Sequence, residues 1–233
     1  MFHRFTSPFR EFGFISGLIY LIDSALTRIS TDLRLIYYEI YVQPIPDKPI
    51  IPERMAQQFE IREIKPGDTD LDLMPAFSHI KKYRFEQNSI CLGAYVHNKL
   101  IGYIWFCFHA YKEDEVRCTF LLAPEEESVF DFDLYIFPEY RMGLGFMGIW
   151  NGANEYLRDK GIKYSFSRVT KFNLGSRRAH EQLGSKHIAS AVILKLRKFE
   201  FILTTIYPYI NFSIRESRRV KLKLNPDRNV LLS

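Results

Sequence analysis

Cysteine is scarce in this chain of 233 residues: Cys91, Cys107 and Cys118 are few, odd in number and scattered. No pair has metal or redox spacing, so a disulfide framework and a cysteine-ligated zinc site are excluded. The three read as free, buried thiols in a reducing compartment. Long hydrophobic runs are lacking too. The longest near the start, Phe14 to Ile22, ends at Asp23 and is too short to cross a bilayer. No small-residue cleavage site follows it, so it does not read as a signal peptide. There is no Walker A loop, no dinucleotide fingerprint and no zinc-ligand pair, and no metal is expected. Ser176 lacks the Gly-x-Ser-x-Gly elbow of a hydrolase nucleophile. Without a zinc-finger, helix-turn-helix or RNA-binding signature, nucleic acid is not an expected partner. Internal repeats and low-complexity tracts are also missing.

Aromatics, in contrast, are abundant at 15% of residues, with 20 Phe and 14 Tyr. Such a chain fills a core and still has aromatic surface left for a partner or a lipid interface. The formal charge of +5 suits a polyphosphate-bearing cosubstrate or an acidic surface. Much of it sits between Lys195 and Lys223, where eight Lys/Arg face two Glu. That run reads as a solvated face, or as an attractor for anionic lipid or an acidic carrier protein.

Along the chain, Leu18, Leu21, Ile22, Ala25, Leu26 and Ile29 predict an amphipathic helix from about Phe14 to Ile29. Its apolar stripe either docks on the main domain or lies on a membrane surface. Leu33 to Val42 reads as a strand, and the proline-rich stretch Gln43 to Pro52 as an extended linker. The expected organisation is therefore an N-terminal helix, strand and linker over 1–57, a main domain over 58–197 and an aromatic, basic extension over 198–233. Within the main domain, Phe59 to Ile64 is a strand. A short helix is predicted over Asp70 to Lys82, with Leu73, Phe77 and Ile80 inward. Ser89 to Val96 and Lys99 to His109 form a hairpin turning at His97-Asn98. Arg117 to Leu122 and His187 to Leu196 are further strands, and Pro208 prevents a continuous helix from Phe199 to Ile214. The order implies an α/β domain with a mixed sheet whose middle is antiparallel.

The stretch from Val129 to Gly184 organises the rest. A strand, Val129 to Phe137, leads through Pro138-Glu-Tyr-Arg141 into a turn with Gly143 and Gly145 and then a helix. A second strand, Tyr164 to Val169, precedes Asn173-Leu-Gly-Ser176-Arg-Arg-Ala-His180-Glu-Gln-Leu-Gly184. A glycine turn opening a helix holds anions, because its N–H groups and the positive helix end both point at them. Side chains alternate along a strand, which places Asp131, Asp133 and Tyr135 on one face. Carboxylates in an apolar strand are costly unless they meet a wet cleft or a partner, so these two are the leading base or amine-binding residues. The alternative is a sheet edge guarded by charge.

These motifs, over roughly residues 58 to 197, resemble the GNAT superfamily of CoA-dependent acyltransferases. The resemblance implies a GNAT-like, mainly antiparallel mixed sheet flanked by helices, here with an N-terminal helix-strand extension. It implies acyl transfer from CoA, acetyl being the expected group, to an amine-bearing small molecule or lipid-linked acceptor in a ternary complex. Leu134, Tyr135 and Ile136 would lie beside the pantetheine arm, with N–H groups near Ile136 polarising the thioester. Arg141, Met142, Gly143, Leu144, Gly145 and Phe146 would take the pyrophosphate. Only Met142 separates Arg141 from Gly143, where the family commonly has two residues, so either the loop is tighter or Tyr140 takes the basic position. Asn173 and Ser176 would also contact the cosubstrate. His180 stands where the family often has a tyrosine that protonates the leaving thiolate, and an imidazole can do the same. Asp133 or Asp131 would draw off the amine proton, directly or through water. Two alternatives stay open: transfer of a long acyl chain from CoA or acyl carrier protein near a membrane, and a CoA-binding domain without turnover. The expected location is the cytoplasm, with the inner membrane face as the peripheral variant.

Overall fold

A computed structural model of the chain describes residues 3–141, 143–214 and 218–227, with side chains from Pro8 onward. Met142 and Arg215, the latter part of the basic run, lie outside the described residues. The helices are α1 (His3–Phe12), α2 (Phe14–Ile29), α3 (Glu53–Ala56), α4 (Ser78–Glu86), α5 (Gly145–Asp159) and α6 (Leu174–Gln182). The strands are β1 (Leu33–Pro44), β2 (Glu60–Ile64), β3 (Ile90–Val96), β4 (Lys99–Phe108), β5 (Ala110–Lys112), β6 (Cys118–Leu122), β7 (Ser128–Ile136), β8 (Tyr164–Thr170), β9 (Lys186–Leu196), β10 (Phe199–Thr204), β11 (Ile210–Ser213) and β12 (Val220–Leu224). This is the α/β class expected, with a large, mainly antiparallel sheet flanked by helices.

The chain forms two compact units, and their limits are not those expected at 57 and 197. One comprises Met1–Gln43, Lys112–Phe120 and Arg168–Ser233; the other comprises Pro44–Tyr111 and Leu121–Ser167. In the first, the strand of the N-terminal segment is no appendage. β1 pairs antiparallel with β9 from Leu33↔Leu196 to Val42↔Lys186. β10 and β11, from the C-terminal region, continue that sheet. The Ile, Tyr and Val content of β1 suits a strand; Ile36, Tyr38 and Ile40 are buried on one face, and from Tyr38 to Gln43 both faces are buried. The basic run becomes β12, whose Lys221 and Lys223 are exposed while Val220, Leu222 and Leu224 are buried. It is thus partly the solvated face of a strand. α2 has the predicted limits; among the described residues Leu18, Ile22, Ala25 and Ile29 of its apolar stripe are exposed, while Leu21 and Leu26 are half-buried. Among the described residues no helix is long and apolar enough to cross a membrane.

In the second unit β2, β3, β4 and β7 are successive antiparallel neighbours, and β8 joins β7 in parallel. The β3–β4 hairpin turns at His97 and Asn98, both with positive φ (51° and 61°), the conformation a two-residue turn needs to follow the strand twist. α5 packs on one sheet face, where Trp150 meets Phe106. α4 packs on the other, where Phe85 meets Trp105 at 4.8 Å. The predicted helix is divided: Thr69–Leu73 is a 3-10 turn, and α4 starts at Ser78, beyond Pro75, a residue that disfavours a helix interior. Leu73 and Phe77, expected inward, are exposed; Lys81 and Arg84 are the buried residues of α4. The three cysteines are free and buried, as expected.

Candidate active site

β7 is central in its sheet, between β4 and β8, so its carboxylates do not guard an edge. Its register against β4 contains an irregularity: Tyr103 faces Tyr135, while Trp105 faces Phe132. One residue of β4, Ile104, therefore stands opposite two of β7, Asp133 and Leu134, which is a bulge. Asp133 has φ 49°, a left-handed conformation that costs a non-glycine residue on the order of 1 kcal/mol or more. The bulge overturns the single-face reading. Tyr135 stacks on Tyr103 and Phe132 on Trp105, so Phe132 and Tyr135 share a face. Asp131, adjacent to Phe132, points to the opposite one.

The two aspartates consequently have different environments. Asp131 is 4% exposed and accepts a 2.6 Å hydrogen bond from the Ser165 hydroxyl. Burial pushes its carboxyl up to about 7, against the pull of Ser165. Asp131 is buried beside Ser165, so the base role expected of it is not carried into the scheme proposed below. A stability consequence follows. The folded chain holds this proton more tightly than the unfolded one, so between about pH 4 and pH 7 stability should fall as pH rises. The total is on the order of 4 kcal/mol. Denaturant titrations of Asp131→Asn across that range should show a shallower fall with pH than the unsubstituted chain, by this one group's contribution.

Asp133 is the open one, its side chain 31% exposed, and it pairs with Arg84 of α4, whose side chain is 9% exposed. The Arg84 guanidinium lies over the rings of Trp105 (5.4 Å) and Phe132 (5.2 Å). Sequence reasoning missed Arg84. The only signal was a cation three positions after Lys81 on a helix with little apolar spacing, and such residues normally face water.

The ladder between β7 and β8 runs from Ser128↔Tyr164 to Asp131↔Ser167 and stops there. Leu134, Tyr135 and Ile136 lie beyond that end, all partly exposed. Tyr135 is a platform: the Arg141 guanidinium sits 5.4 Å above its ring. Arg141 Nε donates to the Ile136 carbonyl at 2.9 Å, fixing this exposed side chain at the start of the turn. Pro138–Tyr140 form one 3-10 turn, and Tyr140 carries the Lys99 ammonium 5.3 Å over its ring, a second cation that sequence reasoning passed over. Gly143 is exposed, and a Cβ there would meet nothing within 4 Å. Gly145 is different: a Cβ would lie 2.8 Å from the Tyr140 carbonyl oxygen, so glycine is needed for the turn to close. Leu144 is the N-cap of the 15-residue α5 and gives no side-chain cap; Phe146 follows in the first turn. The turn therefore leads into a helix end whose first N–H groups no capping side chain covers, which suits an anion.

Asn173, Ser176 and His180 belong to the other unit. Asn173 caps α6, its Oδ1 accepting from the Ser176 N–H at 3.0 Å. His180 is buried and stacked on Tyr41, rings 5.9 Å apart and 10° from parallel. Burial lowers its pKa to about 4, so near neutral pH the ring is uncharged. A donor role for His180 would therefore fall to the N–H of the neutral ring, and the scheme proposed below does not use it. Tyr41 in turn donates to Glu39 at 2.7 Å. Burial raises the Glu39 carboxyl, but Lys171, Tyr41 and Arg177 outweigh it and hold the group below the ordinary carboxylate range.

A family model described as the Acetyltransferase (GNAT) family matches residues 55–185. Among solved structures, a functionally unknown conserved protein from Staphylococcus epidermidis aligns at 11% identity and TM-score 0.46, over 73% of this chain and 64% of that one. A glucosamine N-acetyltransferase region of a fungal multi-domain beta-N-acetylglucosaminidase aligns at 18% identity and TM-score 0.48, over 72% and 22%. A GCN5-related N-acetyltransferase from Sphaerobacter thermophilus aligns at 14% identity and TM-score 0.44, over 72% and 54%. The chain thus spans less than two thirds of each of these proteins' own length. No match is found among the curated proteins. With its turn, its helix and both motif strands inside the matched stretch, the chain belongs to the acetyltransferase (GNAT) family.

Proposed function

We propose that the chain transfers an acyl group, acetyl in the first instance, from CoA to an amine by direct attack. The observation that carries this reading is the α5 start: an open Gly143, a closed Gly145 and an uncapped helix end, directly after a strand whose ladder with β8 has ended. Diphosphate oxygens suit the N–H groups of residues 143–146, with Arg141 and Lys99 as nearby cations. The pantetheine arm fits along the backbone of Leu134–Ile136, whose N–H groups then polarise the thioester carbonyl. The amine nitrogen attacks that carbon; a C–N bond forms, the C–S bond breaks, and the thiolate is protonated from solvent. Asp133 takes the proton the amine loses. Its Oδ2 is held by Arg84, and Oδ1 remains for the amine. Asp131 and His180 have no step in this scheme.

Thiol release from acetyl-CoA in the presence of varied primary amines tests the reading, with mass spectrometry of the product. An N-acetyl product with equimolar thiol is the expected result. Bare thioester hydrolysis, or transfer to hydroxyls alone, overturns it. Long-chain acyl-CoA in a parallel arm decides chain length: preferential turnover there keeps the fold and the base but replaces acetyl.

A further inference from the structure

β11 is the last strand of its sheet among the described residues, paired with β10 on one side only. Sheet edges of soluble proteins are normally blunted by lysine, proline or inward charge, because an unpaired row of N–H and C=O groups templates another strand. β11 has none of these: it reads Ile210-Asn211-Phe212-Ser213.

The face beside that edge is apolar. Register places Phe199, Phe201 and Leu203 of β10 level with Leu196, Leu194 and Val192 of β9, and Phe201 and Leu203 level with Phe212 and Ile210 of β11. Ile210 is 65% exposed and Phe212 55%, and Phe212 stacks on Phe199 at 6.0 Å. At the hairpin tip Tyr207 is 75% exposed and Tyr209 59%. A large side chain carries about 200 Å². With Leu196, Phe199 and Leu203 also two-fifths to one-half exposed, the surface comes to roughly 750 Å². That exceeds the largest apolar patch of an ordinary monomer, about 300–600 Å². It is close to the ~800 Å² one partner contributes to a standard interface.

Charge decides the occupant. From Phe199 to Ile214 there is no lysine or arginine, and the only charged residue, Glu200, is buried on the opposite face with Arg117 at 3.6 Å and Lys195 at 3.8 Å. β10 and β11 themselves carry no cation; Arg197 and Lys198, exposed in the β9–β10 turn, lie at one end of the patch only and do not make the basic face that an anionic lipid surface needs. A neutral edge and face are complementary to themselves, which a two-fold interface requires. We propose that a second copy of this chain docks here, β11 pairing antiparallel with the partner's β11 so that sheet and apolar face continue across the axis. The inference rests on this surface alone and is independent of the acyltransferase reading.

Sedimentation velocity of the full chain across a concentration series, with Ile210→Lys, tests it. A dimer is expected, weakened roughly 30-fold or more by the substitution. Circular dichroism checks folding, and if Ile210→Lys fails to fold, the milder Phe212→Ser is read in its place. Ile15→Lys, on the exposed stripe of α2, should leave association unchanged. A chain that stays monomeric overturns the proposal. So does a dimer indifferent to both hairpin substitutions, or one dissociated by Ile15→Lys instead. A monomer that cosediments with phosphatidylcholine–phosphatidylglycerol vesicles through these same residues overturns it in favour of a lipid surface.

Discussion

Gly143→Asp should weaken CoA binding by roughly 30- to 1,000-fold and leave the melting temperature unchanged. A carboxylate about 4 Å from a phosphate charge costs up to about 4 kcal/mol at the effective dielectric of a protein surface, and each 1.4 kcal/mol is tenfold. The position is well chosen because a Cβ there meets nothing within 4 Å and φ is not in the left-handed range. The substitution therefore adds charge without disturbing packing, and Gly143→Ala is the neutral control that should bind normally. Gly145 is the poorer target. Its Cβ would press on the Tyr140 carbonyl at 2.8 Å, so any loss of binding would be mixed with distortion of the turn. Calorimetric titration of CoA onto the three proteins makes the comparison.

The second large effect concerns Asp133. Replacement by Asn keeps an oxygen acceptor for Arg84 but removes the group that takes the amine proton, so turnover should fall by about 10²- to 10⁴-fold while acetyl-CoA binding is kept. Arg84→Met has a different signature. It leaves the Asp133 carboxylate without its cation, and losing one partner of a buried pair costs about 3 kcal/mol. That figure is reduced here because Asp133 is one-third exposed. Arg84→Lys retains the charge without the planar fork and should lie between the two. Should Asp133→Asn turn over within about twofold of wild type, the carboxylate serves only to anchor Arg84.

Strands β1–β4 and β6–β9, the hairpin at His97-Asn98 and the glycine turn were legible in the sequence because each is written in local chemistry, whereas β5 and β10–β12 were not read as strands. Alternation marks a strand, Asn and His accept positive φ, and glycine marks a close approach. What was not legible depended on contacts far along the chain. β1 and β9 pair although some 150 residues separate them, which no local pattern announces. The apolar stripe of α2 reads as a docking face whether or not anything covers it, since periodicity reports amphipathicity and not its partner. The faces of β7 were misread for a sharper reason. Period-two alternation holds only in an uninterrupted ladder, and one additional residue at Asp133 inverts it. That inversion separates Asp131 from Asp133 and leaves one candidate base where two were expected. Arg84 was hidden by the ordinary rule that arginine faces water; two neighbouring aromatic rings and a carboxylate make the exception.

Hydrogen–deuterium exchange of the backbone with and without CoA reads the start of α5 itself. Slowed exchange is expected at residues 143–148, where the ligand covers the first N–H groups of the helix, with a smaller effect at 134–136. Saturating CoA that leaves residues 143–148 exchanging as in the free protein, while protecting another segment, would contradict that placement of the ligand.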